Sequence, residues 1–256
     1  MRNFAEEMRR GMGKGMIAAI LMTMFPMLLS VIGLLPSAYT EQVQASGAMV
    51  NALYKSGVTP VAFIASAFAY STSYMTDRNA GALKYQIMRC GRMRFAVDRF
   101  FANAICGALG VFLAEAIFFL IMRTIFPAQD IPYRYLDEVN AMMRLSYVQP
   151  ELYTLIMLLL EMPGYMVMAS VALATSTLVN NTYVTLASPI VYFGLVTSID
   201  QSVGSGSLHD IIYTMADLTM WMNGYDELWA YLLYCAVGLA LTFAVFYMGV
   251  RRYKGE

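Results

Sequence analysis

Two carboxylates fall where a carboxylate is expensive. Glu115 lies in the apolar run 102–125 and Glu161 in the run 152–175, and an ionised group at membrane depth costs at least a few kcal/mol unless it is paired, hydrated or protonated. Acids retained in such places either handle protons or cations along a path, or are buried neutral and hydrogen-bonded. Glu161 is followed by Pro163-Gly164, and a proline inside a span removes one backbone donor and interrupts the helix beside it. Glu115, Glu161 and Pro163 are therefore the candidate conduit or coupling residues.

Little else in the chain has the makings of chemistry. The single histidine, His209, has no second histidine or cysteine nearby to complete a metal site. The cysteines Cys90, Cys106 and Cys235 are an odd set in segments expected to stay reduced. Gly11-Met12-Gly13-Lys14-Gly15 has a superficial likeness to a phosphate loop, but it lacks the Gly-x-x-x-x-Gly-Lys-Ser/Thr spacing and no strand precedes it. No catalytic set emerges, so the expectation is a protein that is not itself an enzyme, with any ATP dependence supplied by another polypeptide.

The elements that position these residues follow from composition. Hydrophobic residues make up 59% of the 256, charged residues only 13%, against about a quarter in a soluble domain, and mean hydropathy is +0.56. The formal net charge is zero, which excludes the basic field that nucleic-acid binding requires. Spanning a bilayer core takes about 20 apolar helical residues, and six stretches approach that length: 16–35, 58–75, 102–125, 152–175, 182–199 and 228–249. The second is diluted by Ser66, Tyr70, Ser71 and Ser73, the fifth by Ser188, Pro189 and Thr197. The first exceeds the length of a cleaved signal core. The expected fold is all-α: an N-terminal interfacial helix over 1–14, with Phe4, Met8 and Met12 on one face, and a six-span transmembrane domain over 15–256.

Lysine and arginine accumulate on the cytoplasmic side of membrane proteins. All but Lys55, Arg123, Arg134 and Arg144 of the 17 basic residues precede the first span, lie between the second and third, or follow the sixth. Both termini and residues 77–99 are accordingly expected in the cytoplasm, and the segments 36–57, 127–150 and 200–227 outside. Within 200–227 an amphipathic run from Leu208 to Met222, near Trp221 and Trp229, suits an interfacial helix. Ala62, Ala65, Ser66, Ala69 and Ser73 form a small-residue stripe, fit for tight packing or for a dimer seam.

The segment 77–99 is the most informative. Its charges, Asp77, Arg78, Lys84, Arg89, Arg92, Arg94, Asp98 and Arg99, make it solvated, yet Leu83, Ile87 and Met88 recur at helical spacing and Gly91 is placed to end that helix. A short amphipathic helix standing off the inner face suits docking into another protein.

In this order of residues, Asp77, Gly81, Leu83, Gly91, Arg92, Arg94 and Arg99, together with the six-span plan and the N-terminal interfacial helix, the chain resembles the membrane permeases of type-2 ATP-binding-cassette exporters. It departs from the common pattern in having aspartate rather than glutamate at Asp77, and Cys90-Gly91 in place of a proline-containing break. The resemblance implies that Asp77, Gly81, Leu83, Ile87, Met88, Arg92 and Arg94 belong to a coupling element that docks on an ABC-type ATPase subunit, with the turn from Asn180 to Tyr183 as a smaller second contact. It further implies that ATP and Mg are bound by that partner and not by this chain, that two permease copies or paralogues pair around one conduit, and that the protein sits in a bacterial cell membrane. The 22 Met and 18 Tyr residues would suit an apolar or amphipathic cargo such as a peptide, antibiotic or lipid. The alternative is a secondary, proton-coupled transporter that uses Glu161 and Glu115 without an ATPase; against it, the two halves show no clear internal repeat.

Overall fold

The computed structural model describes residues 2–38, 49, 52–53, 58–125, 145, 148–203 and 225–253. Among them every regular element is an α-helix: α1 (Arg2–Gly11), α2 (Lys14–Ala38), α3 (Val58–Phe68), α4 (Ser73–Asn79), α5 (Ala82–Cys90), α6 (Arg92–Ile125), α7 (Pro150–Leu178), α8 (Thr182–Val203) and α9 (Tyr225–Arg252). Most of the expected outer segments, with His209 and Trp221, lie outside the described residues.

Four helices, α2, α6, α7 and α9, are long and apolar enough to cross a membrane. Among the described residues four of the six expected spans are present; in place of the other two, α8 offers the shorter apolar stretch Thr182–Leu195, and α3 stops at Phe68 instead of running on to Met75. The reason is visible in the serines that dilute this segment. The chain turns over 69–72, where Ser71 Oγ lies 2.9 Å from Asn103 Oδ1 and 3.0 Å from the Ala169 carbonyl. Asn103 Nδ2 donates to that same carbonyl at 2.8 Å. Buried polar groups satisfied this way hold the turn against α6 and α7.

The paired helices α6 and α7 form the centre, with α2 and α3 on one side and α8 and α9 packed on α7. The small-residue stripe is used inside the chain: Ala62, Ala65 and Ser66 are fully buried, and a Cβ at Gly107 of α6 would come within 2.6 Å of the Ser66 carbonyl oxygen. Exposed apolar side chains instead run along α2 (Ile17, Leu21, Phe25, Ile32) and α9 (Leu233, Val237, Leu241). In water such stripes would be a liability, whereas hydrocarbon covers them at no cost. The chain is a membrane-embedded helical protein.

A second apolar cluster closes one end of the bundle, where Tyr74, Leu83, Phe95, Phe100, Leu173, Phe246 and Val250 bring together α4, α5, α6, α7 and α9. Here α1 lies with Gly11 buried beside Cys106 and Tyr70, and with Met8 near Cys106. Of the Phe4-Met8-Met12 face, Met8 thus meets α6, whereas Met12 is 50% exposed.

Candidate functional site

Two glycines with left-handed backbone fold the segment between α3 and α6. Gly81 (φ 70°) separates α4 from α5 and Gly91 (φ 81°) separates α5 from α6; a side chain at either would be strained. These turns bring α4, α5 and the start of α6 around one buried charge. Arg99 is fully buried, a state that requires paired partners. It pairs with Asp77 on α4, lies 3.7 Å from Glu7 on α1 and 3.4 Å from Gln86 Oε1 on α5, and stacks over Tyr70 and Phe95 at 5.6 and 5.2 Å from the ring centres.

Asp77 is itself only 6% exposed. Besides Arg99 it accepts hydrogen bonds from both Arg10 guanidinium nitrogens (2.9 and 3.2 Å) and from Gln86 Nε2 (3.1 Å). Tyr70 donates to Glu7, which also faces Arg10 at 3.6 Å. Two acids and two arginines thus form a neutral latch that ties α1, α4 and α5 to α6. Burial alone would push the Asp77 carboxyl up, but the hydrogen bond from Arg10, with Arg99 and Gln86, outweighs it and holds the carboxyl below its ordinary value.

The docking face expected on α5 is corrected by this packing. Leu83 is fully buried in the end cluster and Ile87 packs against it, while Met88 is 64% exposed. The helical period was right, but the face that carries Leu83 and Ile87 turns toward the chain's own core. The outward surface is instead Lys84, Tyr85, Met88 and Arg89, continued by Arg92, Met93 and Arg94. Asp77 likewise belongs to the internal latch and not to an exposed face. At the turn between α7 and α8, Asn181 Oδ1 accepts from the Tyr183 N–H at 2.9 Å as an N-cap, and Tyr183 is 84% exposed.

The two intramembrane acids meet. Glu115 on α6 and Glu161 on α7 are within hydrogen-bonding reach of each other, and Tyr165, one turn along α7, donates to Glu115 Oε1 at 2.9 Å. Glu115 is fully buried and Glu161 is 4% exposed. Next to them, the Tyr231 hydroxyl of α9 accepts from the Gly164 N–H (3.1 Å) and donates to the Leu160 carbonyl (2.9 Å). Those two backbone groups are the pair that an uninterrupted helix joins directly, so Tyr231 braces α7 across Pro163.

The sequence pointed to Asp77, Glu115, Glu161 and Pro163 but not to their partners Glu7, Arg10, Tyr70, Gln86, Tyr165 and Tyr231. An arginine leading straight into an apolar run, Arg99, was the one signal in the sequence that acids must converge there. Among the described residues no group of three or more His, Cys, Asp or Glu side chains is placed to hold a metal ion. Comparison with protein-family models, curated proteins and solved structures finds no match to this chain.

Proposed function

We propose that the chain is the membrane-spanning permease of an ATP-driven exporter, in which the latch end faces the cytoplasm and docks on a separate ABC-type ATPase. In this reading α3 with α4, and α8, complete six crossings, and two permease copies enclose the path of an apolar or amphipathic cargo. The observation that carries it is α5. One side is riveted to the spans through Leu83 and Gln86, and the opposite side presents Tyr85 (66% exposed) and Met88 among Lys84 and Arg89. An element exposed on one side and rigidly held on the other transmits displacement, so closure of an ATPase on ATP and Mg would move α4, α5 and α6 as one body through the Asp77–Arg99 pair.

The docking contact is tested by Tyr85→Asp with Met88→Asp. Two large side chains of this kind contribute about 1.5–3 kcal/mol each at most when buried at an interface, less the cost of ordering them. Their loss should weaken ATPase association by roughly tenfold or more, while the chain inserts and folds normally. Co-purification of an ABC-type ATPase with the unsubstituted chain, and permease-stimulated ATP hydrolysis, report the outcome; retention of both by the double variant would sink the docking surface. Leu83→Asp should behave differently, since it places a charge in the end cluster and lowers stability before it affects docking.

Orientation has its own test. In a Cys90→Ser background, where the remaining Cys106 and Cys235 are buried, a cysteine at Tyr85 should react with a membrane-impermeant maleimide only after the cells are opened. One at Ser207 should react in intact cells. The reverse pattern would put the latch outside and remove the ATPase reading with it.

A further inference from the structure

The latch leaves a second constellation unexplained, the carboxyl pair at the centre of the bundle. Glu115 Oε2 and Glu161 Oε2 are both buried without a hydrogen-bond partner, although their residues are 0% and 4% exposed. Among the described residues no cation is seen against them: the arginine of α6 nearest in sequence, Arg123, is half-exposed and paired with Glu151 at 2.6 Å, and the arginines of α9 stand at its far end, Arg251 and Arg252. The only basic residue of α2 is Lys14, at its start, and α3 has no titratable side chain. The facing groups are Tyr165 on α7, Tyr231 and Cys235 on α9 and, further out, Tyr192 on α8 hydrogen-bonded to Tyr234. Two like charges in direct reach, desolvated and unneutralised, repel too strongly for both to persist. A hard divalent cation would require about six or more oxygens, and the pair with the Tyr165 phenol offers only two carboxyls and one hydroxyl.

We propose that Glu115 and Glu161 form one proton-binding site between α6 and α7, holding a single exchangeable proton between the two carboxyls. With the proton in place, one carboxylic acid donates to the other carboxylate, and Tyr165 supplies a further donor to Glu115. On release, the O–H bond of the acid breaks, the proton passes to water, and two carboxylates remain. Their repulsion acts across the α6–α7 contact at the point where α7 carries Pro163 and is braced by Tyr231. Proton occupancy is thereby linked to the spacing of the two central helices. This inference does not rest on the ATPase docking reading; it concerns the chain alone and holds whichever energy source drives transport.

The test uses the full chain purified into lipid nanodiscs without any ATPase. Infrared difference spectra, recorded in H2O and D2O during a pH titration, should show one protonated carboxyl in an apolar environment at neutral pH, released in a single one-proton step on alkalinisation. Glu161→Gln and Glu115→Gln each remove the like charge from the remaining acid, so each should shift the midpoint of that step by tenfold or more in proton concentration. The doubly substituted Glu115→Gln, Glu161→Gln chain should lack the band. Absence of a protonated carboxyl in the unsubstituted chain at neutral pH, or persistence of the same band in the double variant, would overturn the proposal. A midpoint that moved with sodium or potassium concentration at constant ionic strength would make this a metal-cation site and overturn it equally.

Discussion

Asp77→Ala is expected to destabilise the protein by about 3–5 kcal/mol, the usual consequence of removing one partner from a buried ion pair. Arg99 has no exposure to water through which to recover its hydration, Gln86 and the Tyr70 and Phe95 rings cannot neutralise it, and the one acid left, Glu7 at 3.7 Å, is shared with Arg10 and Tyr70. Arg10 would lose its two hydrogen bonds to Asp77 as well, so α1 should come away from the bundle and open its backbone at Arg9-Arg10 to protease. Earlier thermal unfolding in detergent, together with rapid tryptic cleavage after Arg9 or Arg10, is the expected result. Asp77→Ala combined with Arg99→Met removes both charges and should recover most of the loss, because apolar replacement of an entire buried pair is often neutral. If Asp77→Ala melted at the same temperature as the unsubstituted protein, the latch would not be what holds this end together.

The same pair predicts a pH response whose sign follows from Asp77. A carboxyl held below its ordinary value in the folded state contributes stability that is fully present above its unfolded pKa, about 3.9. That contribution fades as pH falls through the depressed folded value. The latch is therefore closed throughout the neutral range and yields only in strong acid. It acts as a fixed joint, and conformational change must pass through it without opening it.

How much of this was legible in the sequence varies with the range of the interactions concerned. The helices were, because a run of apolar residues long enough to span has few other fates; α2, α6, α7 and α9 cover four of the expected spans. The weakness of the second stretch was legible too, as serines, although only their partners Asn103 and Ala169 explain why it breaks at 69–72. On α5 the period of Leu83 and Ile87 was correct and the inference from it was not. Periodicity says which side chains share a face, but nothing about whether that face meets another protein or the chain's own Phe95, Phe100 and Phe246. The latch was illegible for a related reason. Glu7, Tyr70, Asp77, Gln86 and Arg99 are ordinary surface-type residues until five separate stretches converge, and convergence is a property of the packing. Glu115 and Glu161 stood out singly by the cost of their position, but that they form one pair follows only from the register of α6 against α7.

The last expectation concerns the brace on α7. Proline at 163 has no N–H to give to the Leu159 carbonyl, and its ring crowds that carbonyl, so the ladder is weakened over this turn. The Tyr231 hydroxyl compensates by serving both Leu160 and Gly164, at a depth where backbone groups need internal partners. Tyr231→Phe should therefore leave two backbone groups less well satisfied, at about 1–3 kcal/mol for a buried unmade bond, and should speed amide hydrogen exchange at Gly164. Pro163→Ala should have the opposite effect on stability, restoring a donor and removing the ring, and interior proline costs about 3 kcal/mol relative to alanine. With alanine restoring the regular ladder around Leu160 and Gly164, the tyrosine hydroxyl has less to supply. Tyr231→Phe should then be close to neutral in the Pro163→Ala background, giving a coupling of at least about 1 kcal/mol in a double-mutant cycle of denaturant unfolding. Under the proposed exporter function, the stabilised Pro163→Ala chain should nevertheless transport more slowly, because the weakened ladder beside Glu161 would be the hinge of α7. Strict additivity of the two substitutions, or unchanged transport by the straightened helix, would mean that Tyr231 and Pro163 are independent packing features and that α7 has no hinge at this point.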